Sequence, residues 1–390
     1  MSEITKRIYL DHSATTPVDE RALAAMLPFF TQTYGNATSI HSFGQEAKVA
    51  LENARRKIAA VIGATPGEII FTAGGTESNN WAIKGAALHY GDQKKHIITA
   101  TTEHHAVLHT CRFLEKQGFN ISFARVDEHG AVDPERISAM LRDDTFLISI
   151  MHANNEVGTI NPIVEIAQIA HDKGILFHTD AVQSYGKIPI DVGVAPIDLL
   201  SISAHKIYGP KGIGALYMRQ GTKIAKFLHG GRHERDRRAG TENIAAAVGF
   251  GAATEISHDK TFEGNDLRHL RDLLQAKILA GISGVRVNGH PENRLPNLLN
   301  LSIEGVESDS LLLSLDLKGI AVSNGSACTS GTIEPSHVLQ AMGVRKDLAK
   351  SALRFSFGRQ NCLAEVDACV EALIEIVTRL RKFKKRRDSA

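Results

Sequence analysis

The chain has 390 residues, 43% of them hydrophobic and 23% charged, with a formal net charge of +2. That length exceeds what one compact core usually holds, so two domains are expected, and the charge balance gives no general pull toward nucleic acid, which is not expected as a partner. No apolar run approaches the roughly 18 residues of a membrane span and no signal-peptide stretch opens the chain, so a cytoplasmic enzyme with no membrane partner is expected.

Short β-rich runs then alternate with helical patterns. Strands are predicted at 68–71, 96–99, 121–124, 146–151, 175–178, 199–203 and 213–217, with amphipathic stretches such as 102–117 and 163–173 between them. This is the pattern of an α/β fold with a seven-stranded, mostly parallel sheet covered by helices, which places ligands beyond its strand ends. After about residue 260 the rhythm changes to a helix at 265–279, strands at 298–303 and 352–357, and a final helix from Ala364. Residues 15–260 are therefore expected to form a large domain, and 1–14 with 261–390 a smaller α+β domain.

The first chemically suggestive segment is Ile69-Ile70-Phe71-Thr72-Ala73-Gly74-Gly75-Thr76-Glu77. It runs from a strand through Gly74 and Gly75 into a helix, whose open amides, with Thr76, can hold a phosphate. Thr76 as an ordinary N-cap with Glu77 in the first turn is the alternative. His104 follows the next strand, where an imidazole can stack on an aromatic ring and carry protons. His105 and His109 have the spacing of a helical metal pair but no recognisable third ligand, so no metal is expected. Asn155 follows the 146–151 strand and offers an amide to a carboxylate.

Asp180, in Phe177-His178-Thr179-Asp180-Ala181-Val182-Gln183, and Lys206, in Ser203-Ala204-His205-Lys206, each sit just after a strand. Pyridoxal phosphate (PLP) needs a lysine amine for its aldehyde and a carboxylate to keep its pyridine nitrogen protonated. Lys206 and Asp180 fit those roles, Gln183 can donate to a ring oxygen, and Ser203 and His205 flank the lysine with groups suited to a phosphate. Lys211 competes as the Schiff-base lysine, but it lies among Gly209, Pro210 and Gly212, in a predicted turn.

A run of small residues from Val322 to Thr332 carries Cys328 and cannot anchor a core. A thiol with an unperturbed pKa near 8.5 is only about 3% thiolate at pH 7, so a nucleophilic Cys328 needs activation by its site. Cys111, Cys362 and Cys369 are expected to be buried and inert. Arg354 stands among apolar residues of a strand, an awkward place for a cation without a partner. A substrate carboxylate bound bidentately would supply one, and an internal salt bridge is the alternative. The basic run 379–387 is expected to be a solvated helix end.

These motifs, with the segment from Tyr9 to Pro17 and Gly325-Ser326-Ala327-Cys328-Thr329-Ser330-Gly331, resemble those of NifS/IscS-type cysteine desulfurases, in the first group with the longer cysteine loop. The resemblance spans nearly the whole chain. It implies PLP-dependent fold type I, a cofactor anchored on Lys206, a pyridinium partner in Asp180, ring stacking by His104 and a ring-oxygen contact from Gln183. Gly75, Thr76, Ser203 and His205 would hold the phosphate, joined by Thr241 across the interface of a homodimer, and Asn155 and Arg354 would bind the carboxylate of L-cysteine. Sulfur would pass to Cys328 as a persulfide, on a loop at about 323–336, and onward to an acceptor such as an iron–sulfur scaffold, with transient cluster binding at Cys328. Selenocysteine lyase or another PLP-dependent lyase or aminotransferase is the alternative activity. Two small residues depart from the family: Ala204, where glycine is often found, and Gly75, where alanine is frequent. The tail is basic where the family often ends in an aromatic segment.

Overall fold

Aliphatic runs without polar alternation build the centre of the fold, as parallel strands covered on both faces require. The computed structural model describes residues 7–258, 264–325 and 335–388. After the short β1 (Ile8–Tyr9) come β2 (Ile69–Thr72), β3 (His96–Ala100), β4 (Asn120–Ala124), β5 (Thr145–Ser149), β6 (Leu176–Asp180), β7 (Leu199–Ser203) and β8 (Gly214–Met218). These last seven form one sheet in the order β2-β8-β7-β6-β5-β3-β4. It is parallel from β7 to β4, while β8 runs antiparallel to both β7 and β2. The predicted α/β class and every predicted strand of the sheet are present.

Residues of β3, β5, β7 and β8 are buried throughout. The buried His178 of β6 finds partners on both neighbouring strands. His178 Nδ1 and Nε2 meet Ser149 Oγ at 2.8 Å and Ser201 Oγ at 3.0 Å, and burial brings its ring down to about 3, so it is neutral. Helices Gly75–Tyr90, His105–Glu115, Ile163–Asp172 and Ile244–His258 cover the sheet. The C-terminal ends of β3, β5, β6 and β7 therefore open toward one edge, where the loops carrying His104, Asn155, Asp180 and Lys206 begin.

A second apolar core is separate from the one under the large sheet. It gathers Ile8, Leu10, Leu274, Leu301, Phe355 and Leu373. Around it lie β9 (Val285–Asn288), β10 (Leu298–Ile303), β11 (Ile320–Ala321) and β12 (Ala352–Ser356), with helices Gly264–Gly281 and Leu363–Asp388. Strands β12-β10-β9 form an antiparallel sheet, and β1 pairs in parallel with β11, so the N-terminal strand belongs to this core. The basic run continues the last helix, and Arg381 of that helix donates to Glu304 O and Ser283 O. Among the described residues no helix is long and apolar enough to cross a membrane.

Residues 232–238 look like a basic cluster, yet the structure resolves them into ion pairs. Arg235 meets Glu52, Asp236 meets Lys226, and Arg238 meets Glu77. Glu234 is buried, accepting from Arg55 Nη1 at 2.7 Å, Arg55 Nη2 at 2.9 Å and the Phe71 amide at 2.9 Å. It ties this segment to β2 through a tight turn in which Glu234, Arg235 and Asp236 all have positive φ. Glu234→Ala leaves both Nη atoms of the buried Arg55 without their carboxylate and only the part-exposed Glu52 at Nε, so the unfolding free energy is expected to fall by about 3 kcal/mol. Equilibrium denaturation measures this; an unchanged midpoint would show that Arg55 finds another partner.

Candidate active site

The site assembles where β6 and β7 end. Asp180, the last residue of β6, is buried, and both carboxylate oxygens are fixed: Oδ2 accepts from Asn79 Nδ2 at 2.6 Å and Oδ1 from the Val182 amide at 2.9 Å. Strand β7 ends at Ser203 and passes at once into a single tight turn, Ala204–Lys206. The Lys206 ammonium donates to Ser13 O at 2.6 Å and Ala14 O at 2.7 Å. Gln183 Nε2 reaches the same Ser13 carbonyl at 2.9 Å. The lysine and the turn after Asp180 thus converge on one peptide of the N-terminal segment.

The turn bearing Lys206 is locked from its far side. Tyr208 has φ 66°, a left-handed conformation uncommon for a large side chain. Its amide donates to Thr16 Oγ1 at 2.8 Å, and its hydroxyl accepts from the Arg359 amide at 2.8 Å. Ala204, where the family often has glycine, is accommodated by Gly209, whose own Cβ would lie only 2.9 Å from the Ala204 methyl.

Beside this turn lies a cleft of 680 Å³ lined by Gly74, Gly75, Thr76, Ser203, His205 and Lys211, among others. The cap of helix Gly75–Tyr90 is Gly74, at φ 152°, which offers no side chain to the first turn. Thr76 is therefore inside the helix and not its N-cap, and the first-turn amides face the cleft with the partial positive charge of the helix end. A Cβ on Gly75 would lie 2.5 Å from Val182 Cγ2, so the branched Val182 occupies the space an alanine methyl would need. A Cβ on Gly214 would lie 2.8 Å from the Gly74 backbone, so the start of β8 has to be glycine for the loop to approach. Burial, with Lys206 and Lys211 adding to it, lowers His205 to about 4. Its neutral ring meets Thr15 Oγ1 at 3.2 Å through Nδ1.

His104 caps helix His105–Glu115, with Nδ1 accepting from the Ala106 amide at 3.1 Å. In the neutral ring the proton then resides on Nε2. Burial lowers its pKa, the Asp180 charge opposes that, and the Lys206 charge adds to it, which places His104 in the field of both groups. Its neighbour Glu103 is fully buried, accepts from the Met151 amide at 2.7 Å, and is pushed well up by burial. His105 has neighbours in His109 and His337, ring centroids 4.8 Å away in each case. Among the described residues no group of potential ligands is placed to hold a metal.

Arg354 has found an internal partner. Nη2 donates to Asp11 Oδ1 at 2.7 Å and Nη1 to Asn155 O at 2.9 Å, while Nε has no partner among the described residues. The salt-bridge alternative is realised, and it joins Arg354 to Asn155. Thr241 is exposed and lines a hollow that shares Ala73 and Gly212 with the larger cleft, so it stands at the rim. Cys328 lies outside the described residues. The residues on either side of its segment both meet Glu156: Ser336 Oγ donates to Glu156 Oε2, and a Cβ on Gly325 would lie 3.1 Å from that same oxygen. His337 Nε2 donates to Glu103 O at 3.0 Å. Cys111 and Cys369 are buried, and burial pushes each thiol up to about 12. Cys362 departs from expectation: it is exposed, because it stands just outside the helix Leu363–Asp388 and not within it.

Asn79, Asp11, Glu156 and Lys187 were not singled out from the sequence. Asn79 had a faint signal, one helical turn after Gly75 on the strand-facing side; Asp11 and Glu156 depend on partners far away in the chain.

The groups present fit a phosphorylated pyridine aldehyde. A small-residue cradle at a helix start can take the phosphate, the hydrogen-bonded Asp180 carboxylate can face a ring nitrogen, and the Lys206 amine follows directly on the strand whose last residue, Ser203, lines the cradle. The model of the aminotransferase class-V family matches residues 8–369. A cysteine desulfurase IscS of Methanosarcina thermophila is 52% identical over 98% of this chain and 95% of its own. A solved NifS-like protein superposes with a TM-score of 0.90 at 39% identity, covering 95% of this chain and 99% of its own. Another solved structure, SspA in complex with cysteine, has a TM-score of 0.82 at 36% identity, over 91% of this chain and all of its own.

Proposed function

The chain belongs to the aminotransferase class-V family, and from that membership we infer that it is a PLP-dependent cysteine desulfurase, converting L-cysteine to L-alanine while the sulfur passes to Cys328 as a persulfide. The observation that carries this furthest is the placement beside Glu156 of Gly325 and Ser336, which flank the segment of Cys328: Ser336 Oγ donates to Glu156, and Glu156 follows Asn155 and acts on His104. The described residues on either side of that segment therefore both lie beside Glu156.

When bound, PLP supplies an aldehyde for the substrate amine and an electron-withdrawing ring for the electrons left when Cα loses its proton. Lys206 Nζ would hold the cofactor and, once the substrate amine has taken its place and freed it, would move the Cα proton. Asp180, oriented by Asn79 and the Val182 amide, keeps a proton on the ring nitrogen. His104 would lie against the ring and, with Nδ1 engaged by the Ala106 amide, would have Nε2 left for the substrate. Gly75, Thr76, Ser203 and His205 hold the phosphate, and Gln183 the ring oxygen. Asn155 and Arg354 bind the substrate carboxylate, the guanidinium kept in place by Asp11. Cys328 thiolate takes the sulfur, an S–S bond forming as the substrate C–S bond breaks.

The working unit is a cytoplasmic homodimer in which Thr241 serves the neighbouring subunit's phosphate, and the persulfide goes on to an acceptor protein such as an iron–sulfur scaffold. Residues 15–260 act as the large domain, with 1–14 and 261–390 as the smaller one, a division the apolar cores support in part: Ile8 and Leu10 share the second core with Leu274 and Phe355, while Val338, Leu339, Met342 and Leu348 pack into the first. Incubating the protein with PLP, L-cysteine and a thiol reductant is expected to yield alanine and sulfide in equal amounts. Sulfide without alanine, or neither, would contradict the assignment.

A further inference from the structure

Lys187 lies four residues after Gln183 and lines a cavity of 760 Å³ together with His12, Lys206, Tyr208 and Phe357. The reaction derived above does not use it. Burial, and then the charges of Lys206 and Arg354, bring its amine down to about 7. Its own charge acts in turn on His12 and His205, and Asp266 and Arg268 line the same cavity. A cation in such company is costly unless a bond offsets the cost. That bond runs to Gln183, whose Oε1 accepts from Lys187 Nζ at 3.1 Å.

A side-chain amide offers an acceptor at one end and donors at the other, and only its partners decide which way it points. With Oε1 accepting from the Lys187 amine, the NH₂ end of Gln183 turns the other way and donates to Ser13 O at 2.9 Å, the carbonyl that also takes Lys206 Nζ at 2.6 Å. We propose that Lys187 is a positioning residue for the reaction at Lys206: by holding Gln183 Oε1, it fixes the amide so that its NH₂ end faces Lys206 and the ring oxygen of a cofactor bound there. This rests on Lys206 as the PLP anchor. Without Lys187 the Ser13 carbonyl alone orients the amide, so a rotation that turns its oxygen toward that ring oxygen, where two acceptors would meet with no proton between them, is opposed by one contact instead of two.

The test is a pH titration of the visible absorbance of the bound cofactor in Lys187→Met and Lys187→Arg. A nearby cation and a donor on the ring oxygen both disfavour the protonated chromophore. Losing them raises the midpoint by about one pH unit in Lys187→Met, while Lys187→Arg keeps the midpoint of the unaltered chain. If Lys187→Met does not accumulate as folded protein, Lys187→Gln, uncharged but polar, takes its place. An unchanged midpoint in the uncharged variant, with cofactor still reducible onto Lys206, overturns the proposal. Borohydride reduction and peptide mapping separate that result from failure of the premise: cofactor absent from Lys206 in the unaltered chain would remove the anchor itself.

Discussion

Lys206→Ala is expected to lose the visible absorbance that the unaltered chain acquires with PLP, and borohydride should then leave no pyridoxyl group on the protein. The amine is the only atom of residue 206 that meets Ser13 O and Ala14 O, and the turn that carries it is held by Tyr208 in a conformation few side chains adopt. Alanine therefore removes the chemistry while the Thr16 and Arg359 contacts keep the turn. Turnover should fall by at least about 10²–10⁴-fold, the range for loss of a general base alone. Lys211→Ala provides the comparison, since Lys211 lines the phosphate cleft and should affect cofactor affinity but not the covalent bond. An unchanged spectrum in Lys206→Ala, or one lost only in Lys211→Ala, would transfer the anchor role to Lys211.

Cys328→Ser separates the two halves of the reaction. The described partners of Asp180 and Lys206 are Asn79, the Val182 amide and the carbonyls of Ser13 and Ala14, so PLP binding and its spectrum are expected to persist. A hydroxyl is a far weaker nucleophile toward sulfur than a thiolate, so sulfide release from L-cysteine should fall to background. The three other cysteines are not expected to substitute: Cys111 and Cys369 are buried with thiols pushed up to about 12, and Cys362, although exposed, lines neither the phosphate cleft nor the cavity beside Lys206. Normal turnover in Cys328→Ser would mean that the substrate loses its sulfur without a protein thiol, the behaviour of a different lyase.

Much of the site was legible because its chemistry sits directly after buried apolar runs. Asp180 and Lys206 end or follow strands whose composition already excludes solvent, so a charged residue there stands out. The glycines at 74 and 75 were equally visible as an opening into a helix. What escaped were the groups whose meaning depends on distant partners. Arg354 was recognisable as a misplaced cation, but its partner Asp11 lies 343 residues away. Asn79 looked like any helix residue until β6 brought Asp180 against it. The basic run 232–238 gave a charge pattern only; the buried Arg55–Glu234 pair within it is a product of packing. Lys187 carried no signal at all, because a lysine four residues past Gln183 reads as a surface residue unless the fold turns it inward.

The central claim is that sulfur leaves L-cysteine onto Cys328. A single turnover with sulfur-labelled L-cysteine, quenched without reductant and followed by peptide mapping, tests it most directly. One labelled sulfur atom should be found on the peptide containing Cys328, released by dithiothreitol and matched by one alanine per site. Label released straight to solution, or carried on Cys362, with alanine still formed, would contradict the account.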